Sequence, residues 1–278
     1  MRRLSRHVPD RGHACCRPVA AGIPHRRYWG FPAPPAAWRR AGRSLICVKR
    51  AAGVCVYDSA FSGETRDVPD PRTSAIKTLP AQTIGYTLRD SRYLNITNRC
   101  TLRCEFCPKF NDMWTVQDYQ LRLDHDPALD DIITAAGSPE DYREIVFCGL
   151  GEPTLRLYTL LDAATHLRHR AKRIRLNTDG LANLVYGRDV TPDMEGLIDA
   201  LSVSLNAQDA ETYNLHCRPK LPGAYEAMLD FLRCAREFVP EITLTAIDGL
   251  PGVDMAACEK IAQRLGVGFR RRVLDVVG

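Results

Sequence analysis

The chain has 278 residues and a formal net charge of +5. That charge is the sum of two opposite parts: residues 1–80 carry fifteen Lys/Arg against five Asp/Glu (+10), and residues 81–278 carry twenty-three against twenty-eight (−5). The basic sum therefore gives no ground for reading the larger part as a nucleic-acid binder, and the lack of any run of eighteen apolar residues rules out a membrane-spanning helix in the sequence.

Residues 1–80 hold nine of the 18 prolines and runs such as Phe31-Pro32-Ala33-Pro34-Pro35, with no sustained period of 3.6 or 2. Prolines remove backbone donors and one-sided charge opposes collapse, so this stretch is expected to be a disordered basic extension, or upstream sequence joined by a wrong start. The short apolar pieces 45–48 and 54–57 are isolated strand candidates. No apolar run follows Met1-Arg2-Arg3-Leu4, which rejects a secretory signal; a transit peptide or a nucleic-acid-binding arm are the other readings of the basic start. Cys15, Cys16, Cys47 and Cys55 receive no role.

A core domain is expected over 84–278. Strand patterns fall at 93–97, 144–150, 173–178, 199–206, 241–247 and 269–277. Helical patterns lie between most of them. Residues 127–136 have Asp126 as a candidate cap and Gly137 as a stop, and 156–170 have apolar positions at Leu157, Leu160, Leu161, Ala164 and Leu167. Further helices are predicted at 191–198, at 224–239 (ending before Pro240) and at 255–265 (stopped by Gly266). Strands alternating with helices imply parallel pairing and right-handed crossovers. Six such units are too few for an eight-stranded barrel, so the expected fold is α/β, a partial (β/α)6 TIM-like barrel; a doubly wound sheet fits less well. In either, chemistry belongs at the C-terminal ends of the strands.

The first strand leads directly into Cys100-x3-Cys104-x2-Cys107. Eleven cysteines in 278 positions produce this spacing by chance only ~0.02 times per chain. Such clustering marks a metal or redox site rather than a disulfide framework, and it points to a reducing compartment, the cytoplasm. Thiolates are soft anionic ligands for iron or zinc. Three from one loop can take three corners of a [4Fe–4S] cluster; with one further ligand they can close a tetrahedral zinc site, which would make the protein a zinc-stabilised binding module without catalysis. No second C-x2-C hook is present. Cys148, after the second strand, is either a fourth ligand or a small buried residue.

With Phe106 before its last cysteine, and in this position, the motif resembles that of the radical S-adenosylmethionine (SAM) superfamily. The resemblance implies a barrel of the radical SAM type, in which Cys100, Cys104 and Cys107 hold a [4Fe–4S] cluster with SAM on its open iron. An external electron donor would drive cleavage to a 5′-deoxyadenosyl radical that acts on an unidentified substrate. Cys148-Gly149-Leu150-Gly151-Glu152-Pro153 looks like the Gly-Gly-Glu motif, with Leu150 in place of the first glycine, which implies that Gly151 and Glu152 hold the SAM amino group. Asn177 at the third strand end, and Ser204 and Asn206 at the fourth, occupy positions that meet the SAM ribose and carboxylate in the superfamily. Phe106 and the 247–253 loop are candidates for adenine. These stretches are similar, more narrowly, to the radical SAM proteins associated with TatD-family hydrolases, which implies such a hydrolase as a partner.

Two further groups are candidate substrate contacts. His216, Cys217 and Arg218 lie beyond the fourth strand. Arg270 and Arg272 alternate on one face of the sixth strand, where an inward pair suits an anionic substrate and an exposed pair suits a solvated edge. Neither a membrane nor a nucleic acid is expected as a partner of the core.

Overall fold

A computed structural model describes residues 82–273. The extension 1–80, with its four cysteines and two short strand candidates, lies outside the described residues, as does the end of the sixth predicted strand beyond Val273. The described chain opens with a hairpin, β1 (Gly85–Leu88) and β2 (Ser91–Leu94). A two-stranded ribbon, β3 (Thr115–Val116) and β4 (Tyr119–Gln120), packs against it through Val116, Leu121, Tyr86 and Leu88. Then follow α1 (Leu129–Ala136), β5 (Glu144–Phe147), α2 (Leu157–Leu167), β6 (Ile174–Thr178), α3 (Ala182–Tyr186) and β7 (Ala200–Ser204). The last elements are α4 (Ala210–Cys217), α5 (Ala224–Ala235), β8 (Glu241–Asp248), α6 (Met255–Leu265) and β9 (Gly268–Val273).

The main sheet runs β1-β2-β5-β6-β7-β8-β9, with β1 antiparallel to β2 and every other neighbour parallel. All six predicted strands form, in sequence order, and among the described residues no ladder joins β9 back to β1. The sheet nonetheless curls. Arg272 on β9 interacts electrostatically with Cys148 at the end of β5, four strands away, whereas at about 4.8 Å per strand a flat sheet would hold them ~19 Å apart. The result is the expected partial barrel of six parallel strands, extended by one antiparallel strand.

Alternation along the strands explains the two faces. Leu94, Ile145, Phe147, Ile174, Leu176 and Leu244 are buried on the outer face, where the apolar sides of the helices cover them. On α2 that side is Leu157, Leu160, Leu161 and Leu167, and on α5 it includes Met228 and Phe231. The inner face is polar: Glu144, Arg175, Asn177, Ser202, Thr243 and Arg270 share it by register. An eight-stranded barrel fills its interior with branched apolar side chains; this interior is built to meet polar atoms.

The helix boundaries follow local chemistry. Asp254 caps α6 by accepting from the Ala257 amide (3.0 Å), and Gly266, at φ 64°, ends it in the left-handed region. The helix predicted over 191–198 is reduced to one 3-10 turn, Thr191–Met194, because Gly196 turns the chain at φ 72°. The start of α1 lies at Ala128 rather than Asp126; the Asp131 carboxylate accepts from the Ala128 amide (3.0 Å), while Asp126 pairs with Arg99 (3.0 Å). Among the described residues no helix is long and apolar enough to cross a membrane.

Candidate active site

The cysteine loop leaves β2 at the C-terminal end of the sheet and is held from three sides. On the first, Asn95 donates to the Leu121 carbonyl (2.8 Å), and Asn98 exchanges hydrogen bonds with the backbone of Leu123 (2.6 and 3.1 Å). On the second, the Glu152 amide donates to the Arg99 carbonyl (2.7 Å), and Gly151 lies directly against the carbonyls of Thr97 and Arg99, where a Cβ would collide with main-chain oxygen. On the third, the segment at the end of α4 runs alongside the loop. Arg103 N donates to Cys217 O (3.0 Å), Glu105 N to His216 O (3.0 Å), and Lys220 N to Thr101 O (3.0 Å).

Side chains reinforce this third contact. Glu105, between Cys104 and Cys107, accepts from Arg218 (2.9 Å) through one oxygen and meets His216 Nδ1 (2.5 Å) through the other. His216 Nε2 reaches the Pro251 carbonyl (2.7 Å), which ties the β8–α6 loop to the same cluster of contacts. Lys220 donates to the Cys100 carbonyl (2.9 Å). The structure thus directs His216 and Arg218 at the cysteine loop. Cys217, fully buried, hydrogen-bonds with the Cys104 thiol and receives Asn206 Nδ2 (3.6 Å).

Cys100, Cys104 and Cys107 are all half-buried free thiols. Burial raises the Cys100 pKa, with the carboxyls of Asp179 and Glu152 adding to it. The hydrogen bond to Cys217 and then burial raise that of Cys104, and burial raises that of Cys107. Such thiols stay protonated until a metal supplies positive charge. A four-iron cluster takes each thiolate on a different iron, and three soft donors on one loop suit it.

Glu152 lies in the turn after β5. It is 3% exposed. Its Oε1 accepts from the Thr154 amide (3.0 Å), the Thr154 hydroxyl (2.7 Å) and the Thr178 hydroxyl (2.8 Å), and its Oε2 accepts from the Asp179 amide (2.7 Å). The side chain braces the β5 and β6 strand ends. Asp179, in the turn after β6, is the partner that sequence reasoning missed. Its carboxyl lies against that of Glu152, accepts from the Thr101 hydroxyl and from the Leu181 amide (3.0 Å), and so links the cysteine loop to β6.

Asn177 accepts from Arg175 (2.7 Å) and donates to Cys148. Ser204 stands half-buried on the inner face. Asn206 is buried at φ 58°, with its carbonyl toward Arg272 (3.3 Å). Phe106 is half-buried in the cysteine loop. Cys148 is half-buried at the end of β5, and burial raises its pKa. Arg270 and Arg272 point inward, with Arg270 donating to Ser202 (3.2 Å), while Arg271 turns outward to Asp248.

The chain is similar to several known proteins. Over 88 residues the chain is 35% identical to the tungsten-containing aldehyde ferredoxin oxidoreductase cofactor-modifying protein of Pyrococcus furiosus. That match covers 32% of this chain and 23% of that protein, so the chain spans under a quarter of this relative's length. Among solved structures, TYW1 with a lysine–pyruvate adduct bound is 14% identical, with a TM-score of 0.48 over 66% of this chain and 64% of the other. The FeFe-hydrogenase maturase HydG from Carboxydothermus hydrogenoformans is 16% identical, with a TM-score of 0.47 over 66% and 44%. The sequence model of the Radical SAM superfamily matches residues 94–265, from the end of β2 through α6, and takes in the cysteine loop and the ends of β5, β6, β7 and β8: the chain is an enzyme of the radical SAM superfamily.

Proposed function

We propose that this enzyme holds one [4Fe–4S] cluster on Cys100, Cys104 and Cys107 and binds SAM across the C-terminal strand ends. The observation that carries the reading is the cysteine loop itself. It is pinned by the β5 loop and by the end of α4, and it faces a polar concave surface. When bound, the cluster and SAM supply radical chemistry. The chain's own residues position them and keep water away. Gly149 and Gly151 bring the main chain close, and Glu152 with Asp179 fixes that main chain from behind. Asn177, Ser204 and Asn206 offer hydrogen-bonding groups along the inner face, and Phe106 offers an apolar surface beside the cluster. Cys217 sits behind Cys104 and, with His216 and Arg218, positions the loop.

The finer assignment is to the radical SAM proteins associated with TatD-family hydrolases. It rests on the stretches 93–100, 148–153, 177–180 and 203–207, and it makes such a hydrolase a candidate partner. An external one-electron donor completes the system, and the three free thiols favour the reducing cytoplasm as its setting. Anaerobic reconstitution with iron and sulfide tests the core of the proposal. Wild type should take up four irons per chain and form 5′-deoxyadenosine from SAM after dithionite. Equal product from a Cys100→Ala, Cys104→Ala, Cys107→Ala variant would refute it.

A further inference from the structure

Three consecutive arginines on β9 meet different partners. Arg271 faces outward and is paired with Asp248. Arg175, inward on β6, is answered by Glu144 through two hydrogen bonds (2.8 and 3.1 Å). The inward pair on β9 is answered by no acid among the described residues. Arg270 donates to the Ser202 hydroxyl (3.2 Å), and Arg272 donates through Nη2 to the Asn206 side-chain carbonyl (3.3 Å). Arg272 Nε is shielded from solvent and has no acceptor. Burial, and then the neighbouring Arg270, lower the Arg272 pKa. Two cations on one face of a cleft, with only neutral oxygens for partners, repel each other and lack the ionic acceptor that guanidinium geometry fits best.

Their position gives the pair a use. Arg272 registers with Ile247 near the C-terminal end of β8 and lies within the electrostatic reach of Cys104, Cys148 and Cys217, beside the cysteine loop. Arg270 lies one pleat deeper. With Arg173, Arg175 and Ser202, and with the carboxylates of Asp90, Glu144 and Glu241, it lines a cavity of about 340 Å³ toward the opposite mouth of the sheet. The pair therefore spans the concave face from the cluster end downward. A guanidinium carries parallel N–H donors in a fixed fork, the arrangement that grips a carboxylate or phosphate.

We propose that Arg270 and Arg272 form the anion receptor of the substrate site, so that the substrate is a small molecule bearing a carboxylate or phosphate group. This rests on the radical SAM reading for the meaning of "substrate", although the receptor itself is a property of the chain alone. SAM carries a carboxylate too, and the test separates the two sources. In the first arm, thermal unfolding of anaerobically purified, cluster-free full-length protein is followed at constant ionic strength against inorganic phosphate and against succinate. Wild type and Arg271→Gln should show a saturable rise in Tm with millimolar anion, Arg272→Lys a rise requiring about tenfold more anion, and Arg272→Gln none. Because Arg272→Gln removes a cation with no ionic partner, its own Tm without anion should equal or exceed that of wild type, which shows that it folds. A wild-type Tm that responds no more than to chloride, or an Arg272→Gln response equal to wild type, overturns the receptor. In the second arm, equilibrium dialysis measures SAM affinity on the reconstituted enzyme. Affinity within twofold of wild type in Arg272→Gln assigns the anion to substrate, and a tenfold loss assigns it to the SAM carboxylate and overturns the substrate claim. Failure of SAM cleavage in wild type would sink the radical reading and leave the first arm's result standing.

Discussion

Glu152 and Asp179 are two buried carboxyls in contact, and neither has a cation within ion-pair distance among the described residues. Burial raises both pKa values, and for Asp179 the neighbouring Glu152 raises it further. Since ionisation is harder in the fold than in the unfolded chain, the pair favours the native state below ordinary carboxylate pKa values. That contribution is lost as pH rises through the elevated folded values. Asp179→Asn should keep the Leu181 contact and remove one of the titrating groups. The decline in Tm from about pH 5 to pH 8 should then be flatter than in wild type; equal slopes would mean that the pair does not titrate in that window. Gly151 is constrained at the same scale by contact alone. A methyl group there meets the carbonyls of Thr97 and Arg99, which are main chain and cannot swing aside. Gly151→Ala is expected to destabilise the fold by about 1–3 kcal/mol, the usual range for overpacking, measured by urea unfolding. The Gly-Leu-Gly-Glu stretch was legible as a special turn from sequence, because glycine before an acid after a strand has few other uses. What sequence could not show is that the acid faces protein donors, since two of those donors (the Thr178 hydroxyl and the Asp179 amide) depend on how β6 sits beside β5.

Helix α4 does for the cysteine loop what β5 does from the other side, and it was the element least visible in the sequence. Its buried positions are Tyr213, His216 and Cys217, none of them the aliphatic residues that make a helical stripe recognisable. The one local signal was Asp209, whose carboxylate accepts from the Thr212 amide (2.8 Å) as a cap. The hairpin strand β1 was equally hidden. Its turn, Arg89-Asp90, lacks the Asn-Gly or Asp-Gly pair that announces a two-residue loop, and Arg89 itself takes φ 54°. By contrast α2, α5 and α6 were legible, because each buries an aliphatic stripe against the sheet. The α4 contact makes a prediction about retention of the metal site rather than about folding. His216→Ala removes the link from Glu105 to Pro251 but keeps the three backbone hydrogen bonds to the cysteine loop. The far-UV circular dichroism of that variant should match wild type, while the reconstituted cluster should release iron to a chelator several-fold faster. Equal release rates would reduce His216 to a packing residue.

At the scale of the whole molecule, the charge divides the chain into parts with separate consequences. The +10 of residues 1–80 and the −5 of the remainder are each screened within about 8 Å at physiological salt. The cysteines, the strand ends and the arginine pair all belong to the acidic part, and the superfamily match lies wholly within it. If the substrate is anionic as proposed, the positive potential expected to matter for it is local, set by Arg270 and Arg272 inside the concave face, with no contribution from the basic segment. Removing residues 1–80 tests this separation. The truncated protein should move from a cation to an anion exchanger at pH 7. Any affinity of the full chain for DNA, falling steeply with salt as phosphate contacts do, should disappear with the segment. Iron content after reconstitution, SAM affinity and the anion-dependent rise in Tm should all stay within twofold of the full chain. A truncated protein that folds, by circular dichroism, yet loses the anion response would place part of the receptor in the basic segment and break the division by charge.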